Sequence, residues 1–374
     1  MEILIFIIPF IVAIYLLIFK RKQTVWWEYV LLIVPSILIV LFLRFVMISI
    51  ETSSTEYHGA YITKIRHEDK WNERVRKTRT KRIPSGRVNG HTTYTTVTET
   101  YYVTETHPDK WITDDINGRS DRVNKPTFER IRDKWKTPMV FIDMHRNYHT
   151  IDGDAQEYTW SNNPLTIETR DYAHLYENRL KVSKSVFNFE DISDEEAKEL
   201  GLFEYPKIID GVQNPILGMK NPKPSDIRKI EFINGYYGAS KEFRTYVLFF
   251  YNQSIEISEK QRSYWYGGNK NEFITCVGLD SSNKIQWVNC FSWMDKPIME
   301  LSCESHFNNK DTFSVIEYGD WVISNLNLWK RKEFKDFNYL KVELSLTQYW
   351  IIFIISLIYC IGISWYIVHN EYEN

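Results

Sequence analysis

Three apolar stretches, two at the start of the 374-residue chain and one at its end, enclose a polar segment from Glu51 to Ser345. Glu2 to Phe19 carries one charged side chain, at its edge. At 1.5 Å per helical residue it reaches about 27 Å, close to the thickness of bilayer hydrocarbon. Val25 to Ile50 is longer, opens on Trp26 and Trp27, and keeps Glu28 and Arg44 near its ends, where charged side chains can snorkel. Leu346 to Val368 has Tyr349 and Trp350 at one end and Trp365 and Tyr366 at the other, the aromatic placement expected at two headgroup interfaces. Three transmembrane helices are expected. Pro9 and Pro35 do not oppose this, because neighbouring helices re-satisfy the carbonyl that proline frees. A secretory signal is the alternative for the first run, but a basic leading segment and a small-x-small cleavage site are both missing.

Mean hydropathy is −0.36 in spite of these stretches, so the middle is strongly polar. Tyr, Trp and Phe make up 16% of the chain, too many for a disordered tether, and the middle is expected to fold. A net charge of −2 excludes a dedicated nucleic-acid binder unless a local patch supplies the cations. Lys20, Arg21 and Lys22 between the first two stretches place that turn in the cytoplasm by the positive-inside rule. The middle then lies outside, with the N-terminus outside and the C-terminus inside. Lys330, Arg331, Lys332, Lys335 and Lys341 favour the opposite arrangement, but long domains translocate largely regardless of charge. Cys276, Cys290 and Cys303 lie in the polar part and Cys360 in the last stretch, an odd set without metal-type spacing that allows one disulfide and requires none.

Four parts are expected: 1–50 as two membrane helices, 51–224 as a β-rich region, 225–345 as a second α+β region, and 346–374 as a membrane helix with a tail. In the first soluble region Arg74, Arg76, Lys77, Arg79, Lys81, Arg82 and Arg87 crowd one strand. Pro84 to Gly86 and Asn89-Gly90 supply turns, and Thr92 to Thr106 is rich in Thr, Tyr and Val. A long hairpin follows from this. Further on come a helix at Thr127–Lys136 and strands at Met139–Ile142 and Arg179–Phe189. Asp194–Leu200 is a helix with a Ser193/Glu196 capping box and Gly201 at its end. Pro206, Pro215, Pro222 and Pro224 mark a linker. Beyond it, Ser240–Asn252 shows Phe243, Val247 and Phe250 at helical spacing, and Ser258 with Gln261 forms a second capping box before Gly267-Gly268. A hairpin of Glu272–Leu279 and Lys284–Trp293 precedes helices at Ile298–Phe307 and Thr312–Ser324. The fold class is α+β with antiparallel strands.

The order of helix, Tyr264-Trp265-Tyr266-Gly-Gly-Asn-Lys-Asn-Glu272, apolar strand Phe273–Leu279, polar turn and second strand resembles the TPM domain over Ser240–Trp293. That module is extracytoplasmic in bacteria and plastids, and the resemblance implies phosphatase-like activity or a part in membrane-protein assembly. The acidic residues expected after the second strand are not present. The whole chain, through His107-Pro-Asp-Lys-Trp111 and Trp329-Lys-Arg-Lys-Glu-Phe-Lys-Asp336, resembles three-span membrane proteins of large tailed bacteriophages, which implies no activity.

Asp143, His145, His149, Asp152 and Asp154 put five metal-competent side chains within twelve residues. Imidazole and carboxylate suit zinc, manganese or iron, and three converging ligands with an open position would activate water. The competing reading is a hairpin turn through Asp152-Gly-Asp with histidines on a solvated strand. The basic strand likewise has two readings. Arg74, Arg76, Lys77, Arg79, Lys81 and Arg82 form an anion-binding ribbon for lipid phosphate, lipopolysaccharide or nucleic acid, or a solvated ribbon neutralised across the ladder by Glu99 and Glu105, the simpler case. Gly267 to Lys270 could grip an anion or simply cap a helix. His306 and Cys303 are a weak ligand pair. Ser356, Cys360 and Ser364 form a small-residue stripe for close helix packing, within the chain or in a homo-oligomer. The sequence thus leads to a membrane protein that presents a globular domain for binding at the cell envelope, to lipid or to another membrane protein. It needs no cofactor. The rival is a membrane-tethered hydrolase using a divalent metal at Asp143–Asp154. A channel is disfavoured, since three spans without an interior ionisable residue make a poor pathway.

Overall fold

A computed structural model describes residues 2–20, 24–88, 91–144, 153–180, 182–183, 189–209 and 211–369. Helices α1 (Glu2–Phe19) and α2 (Trp26–Thr52) lead directly into strand β1 (Ser53–Glu68). A ribbon of β2 (Trp71–Val88) and β3 (His91–His107) is followed by β4 (Lys110–Asp115), β5 (Ser120–Val123), α3 (Lys125–Trp135), β6 (Val140–Ile142), β7 (Ala155–Thr159) and β8 (Thr169–Glu177). Then come α4 (Asp194–Leu200), β9 (Ile208–Ile209), β10 (Val212–Gln213), β11 (Ile216–Leu217), α5 (Pro224–Phe232), α6 (Gly238–Lys241), β12 (Arg244–Tyr251) and α7 (Glu256–Tyr264). The chain closes with β13 (Glu272–Leu279), β14 (Ile285–Ser292), α8 (Ile298–Asn308), α9 (Val315–Asn325) and α10 (Leu346–His369).

Among the described residues two helices, α2 and α10, are long and apolar enough to cross a membrane, not the three expected. The apolar part of α1, Ile5–Phe19, is shorter. Only 17% and 22% of the most apolar windows of α2 and α10 are buried, unlike the core helix of a water-soluble body. Inward-facing residues join the three helices: Ile5 meets Val40 and Ile352 in one cluster, and Ile8, Leu16, Leu32 and Cys360 form the next. Outward-facing Phe42, Phe45, Ile358 and Trp365 are all more than 60% exposed, an arrangement that water opposes and hydrocarbon favours.

The body has two lobes. In the first, β1 is the spine of a six-stranded sheet: its first half pairs antiparallel with β8, from Ser53 opposite Glu177 to Tyr61 opposite Thr169. Its second half is flanked by β4 and β7. Helix α3 is capped by Asn124, whose Oδ1 accepts from the Thr127 amide at 2.8 Å. It buries Phe128, Ile131 and Trp135 against Ile62 and Ile65 of β1.

In the second lobe, β11, β12 and β13 run parallel and β14 returns antiparallel. Helices cover both faces of this sheet. Val247 and Phe249 face a core with Met299, Phe307 and Tyr318, while Tyr246, Leu248 and Phe250 face Ala197, Ile257 and Trp265. The helix expected over Ser240–Asn252 is therefore, from Arg244 to Tyr251, the strand β12. Buried on both faces, it reads as an unbroken apolar run that also satisfies helical spacing. The fold is α+β with antiparallel strand pairs, as expected, and the parallel pairs β11–β12 and β12–β13 are additional to it. Ser258 lies inside α7, not at its cap, with its hydroxyl donating to the Ile255 carbonyl at 2.7 Å. The expected α4 is present with its bounds unchanged, Ser193 accepting from the Glu196 amide and Gly201 at φ 73°. The strand expected over Arg179–Phe189 falls partly outside the described residues, and the described part of that range forms no strand; β8 ends before it, at Glu177.

The lobes join where the π-helical turn Ile233–Tyr237 crosses β1. A Cβ on Gly59 would lie 1.9 Å from the Asn234 carbonyl oxygen, so only glycine permits this approach. Asn234 then bonds like a strand to β12, accepting from the Thr245 amide at 2.8 Å and donating to its carbonyl at 3.0 Å.

Candidate functional site

The sequence candidates fall in separate places. Of the metal set, His145, His149 and Asp152 lie outside the described residues; Asp143 and Asp154 flank them, and Asp154 Oδ1 accepts from the Met144 amide at 3.2 Å. The basic residues lie on β2, exposed, opposite β3. Lys77 pairs with Glu105 at 2.6 Å and Arg79 with Glu99 at 2.9 Å. Ser356 and Cys360 are buried against α2, their side chains 3.1 and 3.5 Å from the Ser36 hydroxyl, whereas Ser364 donates to the Cys360 carbonyl of its own helix at 2.6 Å. The amides of Gly267 and Gly268 are used in ending α7, on the Arg262 and Trp265 carbonyls. All four cysteines are free and buried.

Between the lobes lies a cleft of about 970 Å³ that no sequence motif announces. Ile131 of α3, Leu165 and Ile167 of the connection before β8, and Phe232 of α5 give it apolar walls. Five cations, Arg130, Lys134, Arg170, Arg228 and Lys229, line it with two carboxylates, Glu168 and Glu231. Glu168 grips both Nη atoms of Arg130 at 2.9 and 3.0 Å and Lys134 at 2.6 Å. Arg170 is held by Asp121 at 2.7 Å and Lys229 by Asp320 at 2.5 Å. Arg228 reaches the Pro224 carbonyl of its own helix at 3.2 Å and forms no ion pair among the described residues. Burial pushes the Glu231 carboxyl up, the nearby charges of Asp171 and Glu168 push it further, and those of Lys134 and Arg228 oppose this without reversing it. The cleft is thus apolar in wall, with four of its five cations held in ion pairs and Arg228 outside them, and is stiffened by bidentate pairing.

A buried polar network locks the floor between the lobes. Arg244 of β12, 1% exposed, donates to the Asp171 carboxylate of β8 at 2.7 and 2.9 Å and to the Tyr246 hydroxyl at 2.7 Å. Asp171 also accepts from the Gln213 amide at 2.7 Å. Paired and hydrogen-bonded on all sides, these charges fix the strands that carry the cleft.

A second cavity, about 510 Å³, opens where β1 leaves α2. Tyr57, Tyr205, Tyr264, Trp265 and Tyr266 line it, which accounts for the Tyr-Trp-Tyr run. Asn269, also on its lining, ties it to Glu272, whose carboxyl accepts from the Asn269 amide and side chain at 2.8 and 2.9 Å and contacts the Tyr205 hydroxyl. Complete burial pushes the Glu272 carboxyl up to about 8, the Asn269 amide opposes this, and Glu56 adds to it.

Two groups have metal-ligand geometry among the described residues. Glu56 Oε1 lies 2.8 Å from His58 Nε2 and 3.8 Å from His174 Nδ1, but also 3.3 Å from Lys270 Nζ, and Arg331 stands 3.8 Å from Oε2. Burial alone would raise this carboxyl, yet His58 and Lys270 outweigh it and the net shift is downward. Two cations already neutralise Glu56, so a divalent ion would meet repulsion there. His67, Asp69 and Asp109 form the other group at the root of the ribbon. There His67 stacks on Trp111 at 5.2 Å and Asp109 accepts from the Lys70 amide at 2.9 Å, which holds the chain reversal. No family model, curated protein or solved structure matches the chain. The likeness of Ser240–Trp293 to the TPM domain therefore brings no activity to these residues.

Proposed function

We propose that the chain is a membrane-anchored binding protein whose inter-lobe cleft takes an amphipathic ligand with an anionic end. In this reading α2 and α10 cross the bilayer, α1 packs beside them, and the body binds at the membrane surface. The observation that carries it is the meeting in one cleft of apolar walls with Arg228, which has no ion pair among the described residues, beside four cations held by Glu168, Asp121 and Asp320. Arg228 is the natural anchor for the anionic end, since its guanidinium is not committed to an ion pair among the described residues. Ile131, Ile167 and Phe232 receive the apolar part.

Titration of the full chain in detergent with the amphipathic anion 1-anilinonaphthalene-8-sulfonate tests this. One saturable site is expected. Arg228→Glu should weaken it at least tenfold, about 1.4 kcal/mol, as reversal of a charged contact implies. Thr127→Trp, which fills the cleft, should abolish it. Saturable binding that survives both substitutions unchanged would remove the cleft as the site.

A further inference from the structure

The register of the ribbon sorts its charges by face. Residues paired across an antiparallel ladder share a face, and faces alternate along each strand. Pairing of Lys77 with Tyr101, Arg79 with Glu99 and Lys81 with Val97 puts Lys77, Arg79 and Lys81 on one face with Glu73, Glu99 and Glu105. That face is neutral. Pairing of Arg74 with Thr104, Arg76 with Tyr102 and Arg82 with Thr96 builds the other. It holds three arginines, a row of threonines and Tyr94 and Tyr102, without any carboxylate. The Arg74 guanidinium stacks over Tyr102 at 4.6 Å, and Tyr94 and Tyr102 are 60% and 56% exposed. At about 3.3 Å per residue the ribbon is about 55 Å long, and both its strands pair only with each other among the described residues.

We propose that the arginine–tyrosine face of this ribbon docks on an anionic lipid bilayer. The face is long, exposed and of one sign, which matches an extended array of phosphates better than a single ligand. Exposed tyrosines interleaved with the arginines suit the headgroup layer, where a phenol keeps its hydroxyl wet and its ring in a less polar surrounding. The membrane anchorage proposed above supplies the bilayer at high local concentration. The neutral face has no such match, so the six basic residues from Arg74 to Arg82 divide into three that bind and three that share a face with as many carboxylates, Lys77 and Arg79 being paired with Glu105 and Glu99.

The test uses the full chain with Thr98→Cys, on the arginine face, carrying an environment-sensitive fluorophore. The four native cysteines are buried, so the label is selective. The protein is placed in phosphatidylcholine discs, in discs with about a third phosphatidylglycerol, and in phosphatidylcholine discs with phosphatidylglycerol vesicles added. Failure to enter any disc would speak against the anchorage and not against the ribbon. A blue shift is expected in at least one anionic arm and in no neutral one, and it should fade in concentrated salt. Arg74→Ser with Arg76→Ser and Arg82→Ser should weaken the response about a hundredfold, from about fivefold per basic residue. Lys77→Ser with Arg79→Ser and Lys81→Ser, the same change in charge on the opposite face, should leave it within about twofold. No shift in either anionic arm, equal losses in the two triple variants, or a shift with duplex DNA and none with lipid would overturn the proposal.

Discussion

Two buried glutamates respond to pH in opposite senses. Glu272 has a folded pKa near 8 against an ordinary value of 4.5, so the native state holds a proton that the unfolded chain releases above about 4.5. Its contribution is most favourable below that pH and is lost progressively as pH rises to about 8, by at most about 5 kcal/mol. Glu56 is shifted downward, so its contribution is present above about 4.5 and is lost as pH falls. Glu272→Gln, neutral at every pH, should abolish the fall in stability between pH 5 and 8, read from urea unfolding across that range. An identical pH slope in both proteins would show that Glu272 is ionised in the fold. Neither role was legible in the sequence: Glu272 stands at the start of a strand like any solvated carboxylate, and its surroundings depend on Tyr205 arriving from far along the chain, with Asn269 three residues before it.

At the scale of elements, local signals were legible where local chemistry decides the outcome. The Ser193 cap with Gly201 set α4, and the Thr, Tyr and Val run set the ribbon, because backbone satisfaction and strand propensity act within a few residues. Strand β12 was misread because its burial on two faces erases the alternation that would mark it. The joint between the lobes was equally hidden, since Gly59 matters only through Asn234, far along the chain. Gly59→Ala should destabilise the protein by about 1–3 kcal/mol or more, as forced overpacking does. Gly86→Ala, where the added Cβ meets only Thr93 Oγ1 at 3.4 Å, should stay within about 0.5 kcal/mol. Thermal unfolding of the pair checks this, and equal midpoints would mean that the lobes do not meet as described.

For the molecule as a whole, the apolar stretches were the most legible feature and the cleft the least. Length and composition identify α2 and α10 directly, whereas the cleft is assembled from α3, the connection into β8, and α5, three segments with no shared motif. Of the metal cluster expected at Asp143–Asp154, three of the five members, His145, His149 and Asp152, lie outside the described residues. What joins these parts in the proposed function is the anchor: β1 leaves α2 without a linker, so the body, its cleft and its ribbon would all sit where α2 and α10 place them. Alkaline carbonate extraction of membranes from cells making the full chain, followed by ultracentrifugation, tests that anchor most directly. The protein should remain in the pellet and enter the supernatant only with detergent; recovery in the supernatant without detergent would contradict the membrane anchorage.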